Sequence, residues 1–469
     1  VLSSKIFFLI DNGDDMRRVL TGAIAAVAVL GLAACSSGAG STPTATTSAN
    51  TQNAALISAA KDAATKIAGG QTIGGKVTLL GALGGDQLDQ YLAAFKPFEE
   101  ATGIKVEYEG TRDMLSVLQT RVQGGNPPDV VSNPSLGQMR QLIKDGKLLA
   151  LNDVVDVEQV KKDYDSGLVE LGSQNGTLYG LMQTSALKGM VYYNPEKYQG
   201  PTNAADWNAL NTWATQQADA GNTPWCLGVE NGAASGWMST DWIEQFVLTT
   251  YGTEVWDSWA NGELSWNSPE IRAAFEAFGK IATDSKMVNG GPRAVVSTDF
   301  IKGSLPLWAD PPRCSLTLQA DWLGATVTTQ VPGTVEGKSV DFFMFPAVNS
   351  ANSGTIETSG EMLGAFNDTP QVRALMAYAA TEQSQALIAT TGSWLSANKS
   401  VSLDVYPTDA RRKAAQVISE AKAVRFDASD LMPSSVTQAF WSGTLTYITS
   451  PDKLDEVLGT IEAARLAAR

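Results

Sequence analysis

The chain contains no histidine, so any chemistry falls to carboxylates, amides, hydroxyls, cations, thiols and aromatic rings. His-ligated metal, histidine general bases and hydrolase triads that need histidine are excluded, while carboxylate and thiolate sites stay open. Two ring–carboxylate pairs stand out by spacing. Trp237 and Asp241 are i,i+4 neighbours in a helix-prone stretch that also holds Trp242, so ring and carboxylate share one helix face. Trp308 and Asp310 precede Pro311-Pro312 and form a stiff loop pair. A flat ring beside a hydrogen-bonding carboxylate holds a small polar molecule without altering its bonds.

The three cysteines divide into Cys35 and the pair Cys226 and Cys314. Outside the cytoplasm the pair reads as a disulfide, which across 88 positions contributes up to roughly 4–5 kcal/mol by loop entropy. Two buried free thiols are the alternative. Cys35 ends an apolar tract, residues 19–34 (VLTGAIAAVAVLGLAA), that follows Arg17 and Arg18. That tract is shorter than the ~20 residues a membrane span needs and reads as an export signal. Its exit, residues 32–35 (LAAC), resembles the lipobox of bacterial lipoproteins, which implies an acylated Cys35 as the first residue of the mature chain. Met16 suits the signal better as a start than Val1, because Asp11, Asp14 and Asp15 do not fit a basic leader. The expectation is a protein outside the cytoplasm, held to the cell membrane by its lipid.

Residues 36–51 are rich in Ser, Thr and Ala and read as a linker, and the Ala-rich residues 53–68 as a short helix. After the signal, about 430 residues remain, more than one hydrophobic core usually organises, so two domains are expected. The formal charge of −15 repels nucleic acid. From residue 76 the pattern runs strand (76–83), helix (Leu88, Tyr91, Leu92, Phe95, Phe98, with Asp86 placed to cap it), strand (104–108), helix (Leu115, Leu118, Val122) and strand (129–131). That order predicts an α/β layer with a largely parallel sheet, whose ligand rim beyond the strands' carboxyl ends holds residues 84–86, 110–113 and 132–133. Further on, 189–195 and 342–345 read as strands, 206–217, 236–251, 269–283 and 370–384 as helices, 355–366 as βα, and 408–469 as mainly helical. All twelve tryptophans lie between Trp207 and Trp441, a change in composition that marks a second domain from near residue 190.

Several uncommon words in one order give the chain a family likeness: residues 96–103 (KPFEEATG), 108–113 (YEGTRD), 124–129 (GGNPPD), 187–195 (LKGMVYYNP), Trp225-Cys226, 236–242 (GWMSTDW), 366–370 (FNDTP), 430–433 (DLMP) and 439–441 (AFW). From residue 76 onward the chain resembles the extracellular solute-binding lipoproteins of bacterial ABC sugar importers, in particular the α-glucoside type of the carbohydrate branch. The resemblance implies an α/β, two-domain periplasmic-binding-protein-like fold (class II) with the ligand cleft between lobes. It also implies no enzymatic activity, no cofactor, a disulfide between Cys226 and Cys314, a saccharide ligand and permease subunits as partners of a monomer. The expected lobes are 76–188 with 350–400, and 189–349 with 401–469. Residues 392–396 (GSWLS), with Trp394, and 358–361 (TSGE) depart from the family's usual wording and stand where sugar identity is tuned.

A saccharide offers apolar C–H faces and a belt of hydroxyls, which call for rings, carboxylates, amides and guanidinium. The expected contacts are Asp86, Thr111, Arg112, Asp113 and Asn133 on the first rim, Lys188 at the crossing, and Trp237, Asp241, Trp242, Trp308 and Asp310 in the second domain. Glu361 and Trp394 come from the returning segment. Each has a plainer alternative: a core anchor for any tryptophan, a helix cap for Asp86, and a mutual pair for Arg112 and Asp113. Trp207, Trp213, Trp256, Trp259, Trp266 and Trp322 are assigned to packing. A secreted glycoside hydrolase would also need a carboxylate pair, but the chain has no train of repeated βα units. A peptide, phosphate or polyamine binder is the other alternative.

Overall fold

Val77, Leu79 and Leu80 are fully buried because the strand that carries them, Lys76–Gly81, lies inside a sheet with a neighbour on either side. The computed structural model describes residues 45–202 and 206–469, with side chains from residue 53. The export signal, Cys35 and the start of the linker lie outside the described residues. In the first sheet Leu79 pairs with Tyr108 of Lys105–Gly110 and with Val130 of Val130–Asn133, both in parallel. Met362–Ala365 then runs antiparallel between Val130–Asn133 and Gly180–Met182. The parallel expectation therefore holds for three strands and fails at the fourth, because that segment returns from the other lobe and enters from the opposite direction.

The first core packs this sheet against helices that include Gly85–Ala93 and Pro370–Ala379. A helix from Ala45 to Ile67, starting inside the stretch read as linker, presses Ala60 and Ala64 onto the same core. Asp86 is not a cap. The helix begins at Gly85 with Gly84 as its N-cap, which leaves Asp86 in the first turn. The expected helix at 370–384 is two helices, the second opened by Thr381, whose hydroxyl accepts from Ser384 N.

The second core gathers Trp225, Trp242, Trp256, Trp259 and Trp266 among the helices Trp237–Tyr251, Pro269–Ala282, Ser434–Thr449 and Leu454–Ala467. Its sheet is antiparallel, in the order Asp341–Met344, Met190–Tyr193, Leu316–Gln319. The fold is thus bilobed. Three segments join the lobes, at 183–188, 357–361 and 426–430, and all three contribute to a small sheet: Thr355–Ser359 pairs with Ala186–Leu187 on one side and Ala423–Phe426 on the other. Ala423–Phe426 is a strand inside a tail expected to be mainly helical. The disulfide Cys226–Cys314 is formed, with Cα atoms 5.5 Å apart, in a third cluster with Leu307, Leu323 and Tyr192.

Candidate functional site

The crossing segments and the two rims enclose a cavity of about 780 Å³, within the range of small-molecule sites. The first lobe contributes the loops that follow its parallel strands, with Asp86, Gln90, Thr111, Arg112, Asp113 and Asn133. The second contributes the amino end of Trp237–Tyr251, the turn at 299–302, Trp322 and Trp441. Ten of the thirteen expected contacts line it: Asp86, Thr111, Arg112, Asp113, Asn133, Lys188, Trp237, Asp241, Glu361 and Trp394.

Three do not. Trp242 is fully buried in the second core, edge-on to Trp225 at 4.8 Å, because a five-residue step on a helix turns it away from the Trp237 face. Trp308 packs in the third cluster and its indole N–H donates to Ser339 O at 2.9 Å. Asp310 is exposed beside it, off the cavity. The residues missed are Trp322, assigned above to packing, together with Trp441, Phe300, Asn231, Asp299, Asp427 and Asp430. Local spacing does not single them out, although Asp430 and Trp441 belong to words that carry the family likeness.

At the floor, Lys188 Nζ meets both carboxylate oxygens of Asp241 (2.9 and 2.8 Å) and Asp427 Oδ2 (3.1 Å), with all three side chains buried. The ammonium also lies 4.9 Å from the centre of the Trp237 ring, a cation–π contact that fixes the indole plane. Asp427 caps the short helix Ala428–Leu431, accepting from Asp430 N and from Ser429 Oγ. Behind this floor, Gln245 donates to Glu357 (2.6 Å) and Ser429 N donates to Glu244 (3.0 Å). One carboxylate oxygen from each of Asp241, Glu244, Glu357 and Asp427 lies within 4.8 Å of the others, a spacing that could ligate a cation. The chain supplies its own cation in Lys188. Burial, with the surrounding carboxylates, pushes Glu244 and Glu357 well above the ordinary range, so these two hold protons.

Burial raises Asp241 to about 7 against the pull of Lys188, and raises Glu361, which accepts from Ser132 Oγ, to about 7. Both groups are ionised in the unfolded chain from about pH 4–5 upward. Their stabilising protons are therefore fully present below that point and lost as the pH rises to about 7. Stability to urea is expected to fall between pH 5 and pH 7.5, and the Glu361→Gln variant to show a shallower fall; a wild-type midpoint that rises over this range contradicts the assignment.

At the rim, Arg112 of the first lobe reaches across to the second. Its Nη1 donates to Asn231 Oδ1 (2.6 Å) and pairs with Asp299 Oδ2 (3.2 Å), and its guanidinium lies 5.5 Å from the Phe300 ring. Phe300 stands edge-on between Trp237 and Trp322. Trp394, on the first lobe, is edge-on to Tyr91 at 5.8 Å. The Trp237 and Trp441 indole N–H groups find no acceptor among the described residues.

Two lobes on three crossing segments, with a polar cavity walled by rings between them, define a clamp-type solute-binding protein. The sequence matches the model for bacterial extracellular solute-binding proteins over residues 82–386, and the chain belongs to that family, whose members bind solutes and do not transform them. It is 36% identical over 390 residues to the osmoprotective compounds-binding protein GgtB of Synechocystis sp., spanning 82% of this chain and 91% of that one. It is 30% identical over 409 residues to the alpha-glucosides-binding periplasmic protein AglE of Rhizobium meliloti, spanning 84% and 87%. Among solved structures, a chitin oligosaccharide binding protein superposes with a TM-score of 0.68 at 18% identity, covering 83% of this chain and 99% of that one. Among the described residues, no helix is long and apolar enough to cross a membrane.

Proposed function

We propose that this protein captures an α-glucoside or related oligosaccharide outside the cytoplasm and delivers it, by closure of the lobes, to the permease of an ABC importer. A lipid on Cys35 holds it to the membrane as a monomer. The observation that carries the reading is the cavity wall: Trp237, Phe300, Trp322, Trp394 and Trp441 supply ring surface, and Asp86, Asp113, Asn133 and Glu361 supply hydroxyl partners. That is the mixed apolar and hydrogen-bonding lining a sugar needs. The names of the two relatives, one for osmoprotective compounds and one for α-glucosides, support the same class.

Titration calorimetry with maltose, trehalose, sucrose and longer maltodextrins tests it. Heat with one or more of these supports the reading; silence with all of them, alongside binding of a peptide or polyamine, rejects it. Trp237→Ala is expected to weaken the best sugar about 10- to 100-fold, roughly 1.4–2.7 kcal/mol. Trp242→Phe, a change in the second core, should lower thermal stability while leaving affinity within about threefold. Equal affinity losses for the two variants would remove Trp237 from the ligand wall.

A further inference from the structure

We infer that the cleft sorts its saccharides by charge, accepting neutral and amine-bearing sugars and refusing uronates and sugar phosphates, with Asp430 and Glu361 as the carboxyls that meet an amine. The inference rests on the saccharide reading above and specifies its substrate class. Seven carboxyl side chains line the cavity against three cations, and the placement of the cations matters more than the count. Lys188 is already saturated by Asp241 and Asp427. Arg112 is engaged by Asp299 and Asn231. Lys302 is exposed at the mouth, so an anion carried inward meets no unengaged ammonium or guanidinium there. It would instead sit beside the carboxylates of Asp86 and Asp113, neither of which pairs with a cation among the described residues, and like charges repel.

An amine meets the opposite surroundings. Among the described residues, neither side-chain oxygen of Asp430 accepts a hydrogen bond, although its backbone N–H is tied to Asp427. Glu361 accepts from Ser132 Oγ through one oxygen, and the other finds no donor among the described residues. The groups bearing on Asp430 are Asp427, Lys188, Glu244 and Asp241. Those around Glu361 are Ser132, Tyr91 and Tyr108, and the tyrosines are kept neutral by burial. Burial and the neighbouring carboxylates raise Asp430 well above its ordinary range, so it holds a proton before the ligand enters, and Glu361, raised to about 7, holds one below that pH. An incoming ammonium favours the carboxylate form. The carboxylic acid then gives its proton to the buffer, and a carboxylate–ammonium hydrogen bond forms in its place. Affinity for an amino sugar should therefore rise with pH until the amine itself loses its proton.

The probes are maltose, maltose with its non-reducing 6-hydroxyl replaced by an amine, and the same sugar oxidised there to the uronate, each titrated in two buffers of different ionisation enthalpy. The uronate should bind at least 100-fold more weakly than maltose. The amine should bind as tightly as maltose or up to tenfold tighter, with buffer-dependent heat that reports proton release. In Asp430→Asn the amine-to-maltose affinity ratio should fall about tenfold and the proton release should shrink; Glu361→Gln, tested in parallel, covers a failure of the first variant to fold. A uronate within threefold of maltose, or an amine more than 100-fold weaker, overturns the charge filter while leaving the saccharide reading intact. Silence with all three probes and with the neutral panel removes both.

Discussion

Replacing Lys188 by Met should cost about 3–5 kcal/mol of folding stability near neutral pH, the penalty typical of removing one partner from a buried ion pair. Among the described residues the ammonium is the only cation within hydrogen-bond reach of Asp241 and Asp427, and both lie out of water. Without it, two carboxylates face each other at the floor, with Glu244 and Glu357 behind them. Protonation is their means of relief, so Asp241 should move further up from about 7. Because the unfolded chain ionises these groups from about pH 4 upward, the variant's stability is retained below that point and lost as the pH rises through the raised folded value. The deficit should be largest above pH 7.5 and smaller at pH 5.5. Urea midpoints of wild type and variant at the two pH values check this, and a deficit independent of pH would show that Lys188 acts through packing alone. Adding Asp241→Asn should recover part of the loss, since the two sites touch and their effects do not add. Sugar affinity should fall as well, because the ammonium that fixes the Trp237 plane is gone.

The rim was legible in the sequence because a simple rule places it: loops at the carboxyl ends of parallel strands meet the ligand, and residues 84–86, 110–113 and 133 all reach the cavity. The helix carrying Trp237 was legible too, and so was the face that Trp237 shares with Asp241, although Trp242 was wrongly expected at the ligand. Residues four apart lie about 40° apart around a helix axis, and residues five apart about 140°, so Asp241 accompanies Trp237 while Trp242 turns to the core. Rings drawn in from distant segments were not legible. Trp322 and Trp441 differ from Trp256 or Trp259 only in what the folded chain places opposite them. The buried floor left a fainter trace: Asp241, Glu244 and Gln245 form a polar stripe on a helix buried along most of its length. A stripe of that kind calls for partners, but those it found, Lys188, Glu357 and Asp427, come from three separate crossings that no local pattern connects.

Removing the Cys226–Cys314 bridge should lower stability by about 4–5 kcal/mol, since it frees a loop of 88 positions in the unfolded chain. The consequence for the clamp follows from what that loop carries. Trp237, Asp241 and the Asp299–Phe300 turn all lie between the two cysteines, so most of the second lobe's face of the cavity hangs on the bridge. Cys226 N is also bonded to Leu316 O at 2.7 Å, which ties the bridge to the first strand residue after the loop closes. The first core contains no part of this segment, so its own stability should change little. Loss of the bridge should therefore separate one unfolding transition into two, the second lobe melting first and taking ligand affinity with it. Urea titration of the Cys226→Ala/Cys314→Ala variant, followed by tryptophan fluorescence and far-UV circular dichroism, tests this directly. Trp394 packs in the first core, and every other tryptophan belongs to the second or third cluster or lines the cavity from the second lobe, so fluorescence should report mainly the earlier transition and circular dichroism both. Coincident curves at an unchanged midpoint would mean that the bridge restrains a loop already ordered by the second core.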